Sequence, residues 1–276
     1  MGDRRTDDVF CARSSDMRLI GTTELLSLQL RVIASLVLRE TRATFGTSAF
    51  GYVWAIITPT VSVGLLVFIF SMVGRQPPFG SSLALFFATG ILTLQFFNEL
   101  SNKLMTVFDA NRALLTYPII KDVDTLIARG LLVAATYTLI MAIFYVALVT
   151  LGLASLPARP EQVILAFLAT WLLGLGFGTL NAVVASLWDT WTQVEKILTR
   201  PLFFISGIFY VPSQLPPQAR EVLQWNPVLH LVEWFRHGFY PNYNSTLLDV
   251  WYPVGVGAAM LLVGLAGERL FRRARY

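Results

Sequence analysis

Three stretches of this sequence carry no charged residue: Gln76 to Asn98, Gly130 to Ala158, and Gln162 to Trp188. At ~1.5 Å of rise per residue, each is long enough to cross a hydrocarbon layer ~30 Å thick as a single helix. A soluble domain interrupts such runs, because charge keeps its surface in water and typically makes up about a quarter of its residues. Here charged residues are 14% of the chain and hydrophobic ones 55%, with a mean hydropathy of +0.61. The runs are apolar throughout, whereas a membrane β-barrel alternates its polarity over segments of roughly ten residues. The chain therefore reads as an all-α polytopic membrane protein.

Extending this reading along the chain gives six crossings: Tyr52–Val73, Ser82–Val107, Leu126–Leu151, Gln162–Trp188, Val194–Val211 and Val250–Leu270. Pro59 is tolerable in the first if packing or a nearby hydroxyl offsets its missing donor. Before that crossing, apolar residues from Leu25 to Leu38 recur at helical spacing, with Arg31, Arg39 and Arg42 supplying charge, which suits a helix lying in the membrane interface. The expected organisation is a polar segment at 1–24, an amphipathic interface region at 25–48 and a six-helix membrane domain at 49–276. The N-terminal segment is mixed in charge and has no apolar core, so it reads as no cleavable signal sequence. With both ends in the cytoplasm, 17 of the 21 lysines and arginines fall on the inner side, leaving only Arg75, Arg159, Arg220 and Arg236 outside. That asymmetry follows the positive-inside rule and supports an even number of crossings.

The connections differ in character. A cytoplasmic stretch at 109–122, "DANRALLTYPIIKD", is amphipathic; Asp109 is placed to cap a short helix and Pro118 to end one. Asn111 and Arg112 stand near its start, and Leu114, Leu115 and Tyr117 would be available to another surface. The second connection, with Asp189, Glu195 and Lys196, reads as a solvated turn leading into the next helix. On the outer side, 212–241 is too apolar for an ordinary loop and is broken by Pro212, Pro216, Pro217, Pro227 and Pro241. Two short helices separated near Asn226–Pro227 fit this punctuation. Irregular backbone at membrane depth must be buried in protein or line a polar cavity, so the expectation is a hairpin re-entering from the outer face.

Chemistry is scarce. His230 and His237 are the two histidines and have no third ligand at useful spacing, so no metal site is expected. Glu233 and Arg236 stand three apart, where they can pair on one helical face or meet an anionic substrate. The single Cys11 offers no intrachain disulfide. The arginines sit at the ends of apolar spans and make no stripe for nucleic acid. No phosphate-binding glycine loop is present, and the glycines of "GLGFGTL" and "GVGAAMLLVGLAG" instead suit close helix packing. The middle spans read as free of ionisable groups, which favours a separate ATPase over an ion gradient as the source of energy.

Several stretches, taken in order, carry a resemblance. "LVLRETRATFGTSAFGYVWAIITP" (Leu36–Pro59) resembles the leading segment of type-2 ABC exporter permeases, where a basic interface helix runs through "GYLWA" into the first span. "FSMVGRQPPFGSSLALFFATGIL", "RPLFFISGIFYVPSQLP" and "WNPVLHLVEWFR" are similar to the capsular-polysaccharide branch of that family. Thr44 and Thr47 depart from the pattern, standing where relatives often carry further polar or basic residues. The resemblance implies a homodimer bound to two cytoplasmic ABC ATPase subunits, exporting a lipid-linked glycan across a bacterial inner membrane towards periplasmic and outer-membrane partners. This chain would bind no cofactor; ATP and Mg would sit in the ATPase. It implies a coupling role for Asn111, Arg112, Leu114, Leu115, Tyr117 and Pro118, and puts Arg39 and Arg42 where a lipid head group could be drawn in. Aromatic platforms for a sliding sugar chain would come from Tyr52, Trp54, Phe68, Phe70, Phe86, Phe87, Tyr210 and Trp225, with Glu233 and Arg236 near the exit. O-antigen, teichoic-acid, drug or small-lipid export would use the same architecture.

Overall fold

Proline, glycine and short polar caps set the helix boundaries. The computed structural model describes residues 22–45, 50–116 and 120–275, and every element among them is helical. Helix α1 is Thr22–Phe45, α2 Phe50–Met72, α3 Leu83–Met105, α4 Val107–Ala110, α5 Asp122–Thr150 and α6 Pro160–Leu187. They are followed by α7 Trp191–Thr199, α8 Leu202–Ile205, a 3-10 turn Pro212–Gln214, α9 Pro217–Leu223, α10 Pro227–Phe239 and α11 Trp251–Arg275. Ser82 caps α3 by accepting from the Leu85 amide at 3.3 Å. Asn226 caps α10, accepting from Val228 N at 3.0 Å, with Pro227 supplying the preset φ of a first helical turn.

Among the described residues, five helices are long and apolar enough to cross a membrane: Val53–Met72 within α2, all of α3, α5 and α6, and Trp251–Phe271 within α11. The expected crossing at Val194–Val211 is not one helix. Pro201 brings no amide proton to the ladder and Gly207 turns to φ +77°, so the segment is divided into α7, α8 and a bent, non-helical stretch. It nevertheless climbs the length of its neighbour. Glu195 bonds Ser101 near the end of α3, and Phe209 packs on Phe87 near its start. Those two α3 residues are about 21 Å apart along a helix axis.

Helix α3 is the most buried of the five and forms the centre, against α6 on one side and α5, α2 and α10 on others. Glycines set how near these helices lie. A Cβ on Gly174 would meet Leu100 at 2.7 Å and one on Gly178 would meet Leu104 at 2.8 Å, both on α3. On the other face of α6, a Cβ on Gly176 would stand 2.2 Å from the Gly257 carbonyl of α11. These are the two glycine runs read from the sequence as packing surfaces, and here they face each other.

Candidate functional site

Among the described residues, three groups of polar side chains in the bundle bear on function. The first is at one end of the bundle, where α1 crosses the start of α5 and the turn after α4. Gln29 of α1 donates to Asp124, Arg39 donates to Asn111 Oδ1, and Glu40 pairs with Arg129. Arg129 also donates to the Lys103 carbonyl at 3.0 Å, which ties α3 into the same junction. Asn111 is buried, and its amide group donates to Val107 O at 2.9 Å. Arg112 is exposed and Leu114 and Leu115 are half-buried, while Tyr117 and Pro118 lie outside the described residues. Asp109 does not cap a helix after it: it sits inside α4, and residues 111–116 are turns. Arg39 thus reaches protein partners, Asn111 and, at 3.5 Å, Glu40, whereas Arg42 is exposed.

The Arg39–Asn111 contact is open to measurement. Arg39 is 42% exposed, so solvent screens part of its charge, and a coupling energy of about 1 kcal/mol is expected from a double-mutant cycle of Arg39→Ala and Asn111→Ala in denaturant unfolding. Additive losses would show that the two side chains do not interact.

The second place is the opposite end of the bundle. Arg236 is fully buried, with its guanidinium 3.9 Å over the Phe86 ring. It donates to Tyr210 O at 3.1 Å, to Ile208 O at 3.3 Å and to Glu233 at 3.4 Å. Tyr243 completes the set by donating to Glu233 at 2.5 Å. Burial first, and then the Glu233 charge, push the Tyr243 phenol well above its ordinary pKa, so it keeps the proton it donates. The bent, non-helical stretch after α8 leaves carbonyls without helical donors. Arg236 takes two of them, and Ile205 O accepts from Asn226 Nδ2 at 3.2 Å and from Tyr210 Oη at 3.1 Å. Phe86, Phe87, Glu233 and Arg236 are therefore enclosed, whereas Trp54, Phe68 and Trp225 are exposed. Phe70 is partly covered by Phe87 and Phe209. Tyr52 belongs to α2, but its side chain lies outside the described residues.

The histidines are structural linkers here. His230 Nδ1 accepts from Asp249 N at 3.1 Å, so Nε2 carries the proton that faces Gln224 O at 2.8 Å. His237 Nδ1 faces Tyr243 O at 3.1 Å.

The third place is a polar stripe that the sequence analysis passed over. Gln95, Asn98, Glu99, Asn102 and Lys103 fall three or four apart along α3, on one flank of an otherwise apolar helix. Glu99 and Lys103 pair at 3.6 Å, so a central span does hold ionisable groups, contrary to expectation. The periodic polar residues inside a span were the available signal, since polar groups at membrane depth mark functional surfaces. Two cavities open on this stripe. One, of about 410 Å³, lies towards α5 and includes Trp54, Glu40 and Arg129 in its wall. The other, of about 530 Å³, lies between α2, α3 and the α7–α8 segment and is walled in part by Lys196 and Arg200. The sequence reading of Glu195 and Lys196 as a solvated turn fails for Glu195. It is buried, accepts from Ser101 at 3.2 Å, and belongs to a network in which Asn181 bonds Ser101 and Trp191 bonds Asn181.

Comparison with known proteins matches the sequence to one family. The model of the ABC-2 type transporter family matches residues 31–240. The polysialic acid transport protein KpsM of Escherichia coli is 31% identical over 238 residues, which is 85% of this chain and 91% of that protein. The capsule polysaccharide export inner-membrane protein CtrC of Neisseria meningitidis is 27% identical over 243 residues, covering 88% of this chain and 92% of the relative. The corresponding protein BexB of Haemophilus influenzae is 26% identical over 248 residues, with 90% and 94% covered. With most of its length matched by the family model and 85–90% of it aligned with these relatives, the chain belongs to the ABC-2 type transporter family.

Proposed function

We propose that this chain is the membrane-spanning subunit of an ATP-driven exporter that carries lipid-linked capsular polysaccharide from the cytoplasmic side across a bacterial inner membrane. The observation that carries the reading is the alignment over most of the chain with relatives named for capsule polysaccharide or polysialic acid transport. The physical chemistry agrees with it. A sugar polymer needs exchangeable hydrogen bonds along its path, and the amides of Gln95, Asn98 and Asn102 supply them along α3. Trp54 and Trp225, exposed on the subunit, are the aromatic surfaces we assign to the path, together with Phe68 and Tyr210. Phe86, Glu233 and Arg236 then act as its support.

In this proposal two copies of the chain form the path and two ABC ATPase subunits bind below, holding ATP and Mg themselves. Periplasmic and outer-membrane capsule proteins receive the glycan. Both termini are cytoplasmic, and the broken α7–α8 segment makes the fifth of six crossings; its climb along α3 supports that count. The hairpin of α9 and α10 re-enters from outside, supported by the contact of Arg236 with Phe86 and Gly90 inside α3. Helix α1 lies at the inner interface, and the segment around Asn111–Leu115 receives the ATPase movement. Its bond to Arg39 and the Glu40–Arg129 pair would pass that movement to α1 and α5 together.

The test is reconstitution of the chain with its ATPase partner in vesicles, following ATP-dependent transfer of defined lipid-linked glycans to the far side. Transfer is expected for the wild type. In Leu114→Asp/Leu115→Asp it should fall at least about tenfold, while membrane insertion is retained, because burying a charge at a protein contact is costly. Wild-type transfer in that variant would remove the coupling role, and absence of any glycan transfer by the wild-type complex would remove the function.

A further inference from the structure

His230 ties three segments together at the end of the bundle that holds Arg236. It closes the first turn of α10 and is 3% exposed. Its Nε2 proton goes to the Gln224 carbonyl just past α9, at 2.8 Å, and its Nδ1 accepts from the Asp249 amide just before α11, at 3.1 Å. An amide N–H can only donate, so this arrangement requires the neutral ring; a second proton on Nδ1 would set N–H against N–H. The positive end of the α10 dipole also disfavours a cation in that turn. Asp249 meanwhile caps α11, its Oδ1 accepting from Trp251 N at 2.9 Å and from Tyr252 N at 3.3 Å. Tyr252 donates to the Trp225 carbonyl at 2.9 Å, and its ring lies 5.2 Å from that of His230. Asp249 and Tyr252 are thus the titratable groups that face His230. The other charged or titratable partners of α10 lie further along it: Arg159, before α6, faces His237, and Tyr243 bonds Glu233 beside Arg236, which α3 meets with Phe86.

We propose that this junction is a proton-operated switch, with His230 as its sensor and Asp249 as the group that changes partners. Neutral His230 holds the Asp249 amide while the Asp249 carboxylate caps α11. Protonated His230 has two donors and no acceptor, so it releases the amide and turns to the carboxylate of the same residue. That carboxylate then leaves the Trp251 and Tyr252 amides, and the start of α11 loosens from α10. The closed junction binds one proton fewer than the open one. Closure is therefore present at high pH and lost as pH falls through the range, about 8 to 5, in which histidine changes charge. Asp249 is exposed, which gives the proton a way in. The switch belongs to the fold and works whatever substrate the chain carries; with the outward-facing hairpin proposed above, it follows the pH outside the inner membrane.

Hydrogen exchange of the full chain in detergent tests this, read by mass spectrometry from pH 8 to pH 5 and corrected for the intrinsic pH dependence of amide exchange. Protection in peptides covering Asp249 to Tyr252 is expected to fall at least about tenfold on acidification, as their amides lose their acceptors. His230→Asn offers a carboxamide oxygen in place of Nδ1 and takes up no proton, so it should keep protection level across that range. Asp249→Asn still caps α11 but gives the charged ring no carboxylate, so the midpoint of the response should move down by about one pH unit. His237→Gln, at the other histidine, should leave the response of this segment unchanged. Elution volume checks the fold of each variant; should His230→Asn fail to fold, the wild type and Asp249→Asn decide the matter alone. Equal protection of the wild type at both pH values overturns the switch. A full response in folded His230→Asn, or its loss in His237→Gln, overturns His230 as the sensor, and an unshifted midpoint in Asp249→Asn overturns the exchange of partners.

Discussion

Arg236→Met is expected to cost this protein about 3–5 kcal/mol of stability, the range seen when one partner of a buried ion pair is removed. Methionine fills much of the same volume, so the loss is electrostatic. Glu233 would keep a buried charge with only the Tyr243 hydroxyl to satisfy it, and the carbonyls of Ile208 and Tyr210 would lose their donor. Each orphaned group adds a desolvation cost, because water cannot replace the guanidinium in a site with no exposure. Arg236→Lys should recover only part of the loss. An ammonium is a point donor and cannot bond two carbonyls and a carboxylate while lying flat on the Phe86 ring. Glu233→Gln in the Arg236→Met background removes the stranded charge, so the double variant should be more stable than the sum of the two single losses. Denaturant unfolding of the purified variants in detergent measures all four. A loss under 1 kcal/mol for Arg236→Met, or strict additivity, would mean that the pair does not hold α10 to the stretch after α8.

That arrangement also explains which parts of the molecule could be read in advance. The five long spans were legible because a run of apolar residues is a local property and its length alone decides what it can cross. Asn226–Pro227 was legible for the same reason: a side-chain cap and a fixed φ act within one turn, and α10 begins there. The pairing of Glu233 with Arg236 needed only i, i+3 spacing. What Arg236 does beyond that pair depends on carbonyls more than twenty residues away, freed by Pro201 and Gly207, and nothing near Arg236 announces them. Arg39 and Asn111 are 72 residues apart and meet only because α1 crosses the turn after α4. Read in sequence, Arg39 is one of several basic residues before a membrane span. Glu195 was misjudged because its burial is decided by which face of α7 meets Ser101. The stripe from Gln95 to Lys103 is a different case. Its spacing was visible, but charge-free intervals hide amides, and three of its five residues are amides.

The packing of α6 against α11 gives the other large effect. Gly176→Leu is expected to separate the two helices or prevent their association, at a cost of at least about 1–3 kcal/mol, the usual range for overpacking. Even its Cβ would lie 2.2 Å from the Gly257 carbonyl and 3.0 Å from Leu261 N, and backbone atoms cannot rotate out of the way as a side chain can. Gly257→Leu should behave alike, since its Cβ would stand 2.9 Å from Leu173 Cα and N. Gly174 and Gly178 offer a graded comparison. Their nearest contacts are the side chains of Leu100 and Leu104, so Gly174→Ala and Gly178→Ala should cost less than Gly176→Ala. Gly255 lies on the same helix as Gly257 but has nothing within 4 Å of its Cβ position. Gly255→Ala should therefore be neutral or stabilising by about 0.5–1 kcal/mol, through helix propensity alone. The order of unfolding midpoints across these variants separates close backbone approach from a general intolerance of α6 and α11 to substitution. Equal losses at Gly255 and Gly257 would show that contact between the two helices does not depend on glycine at these positions.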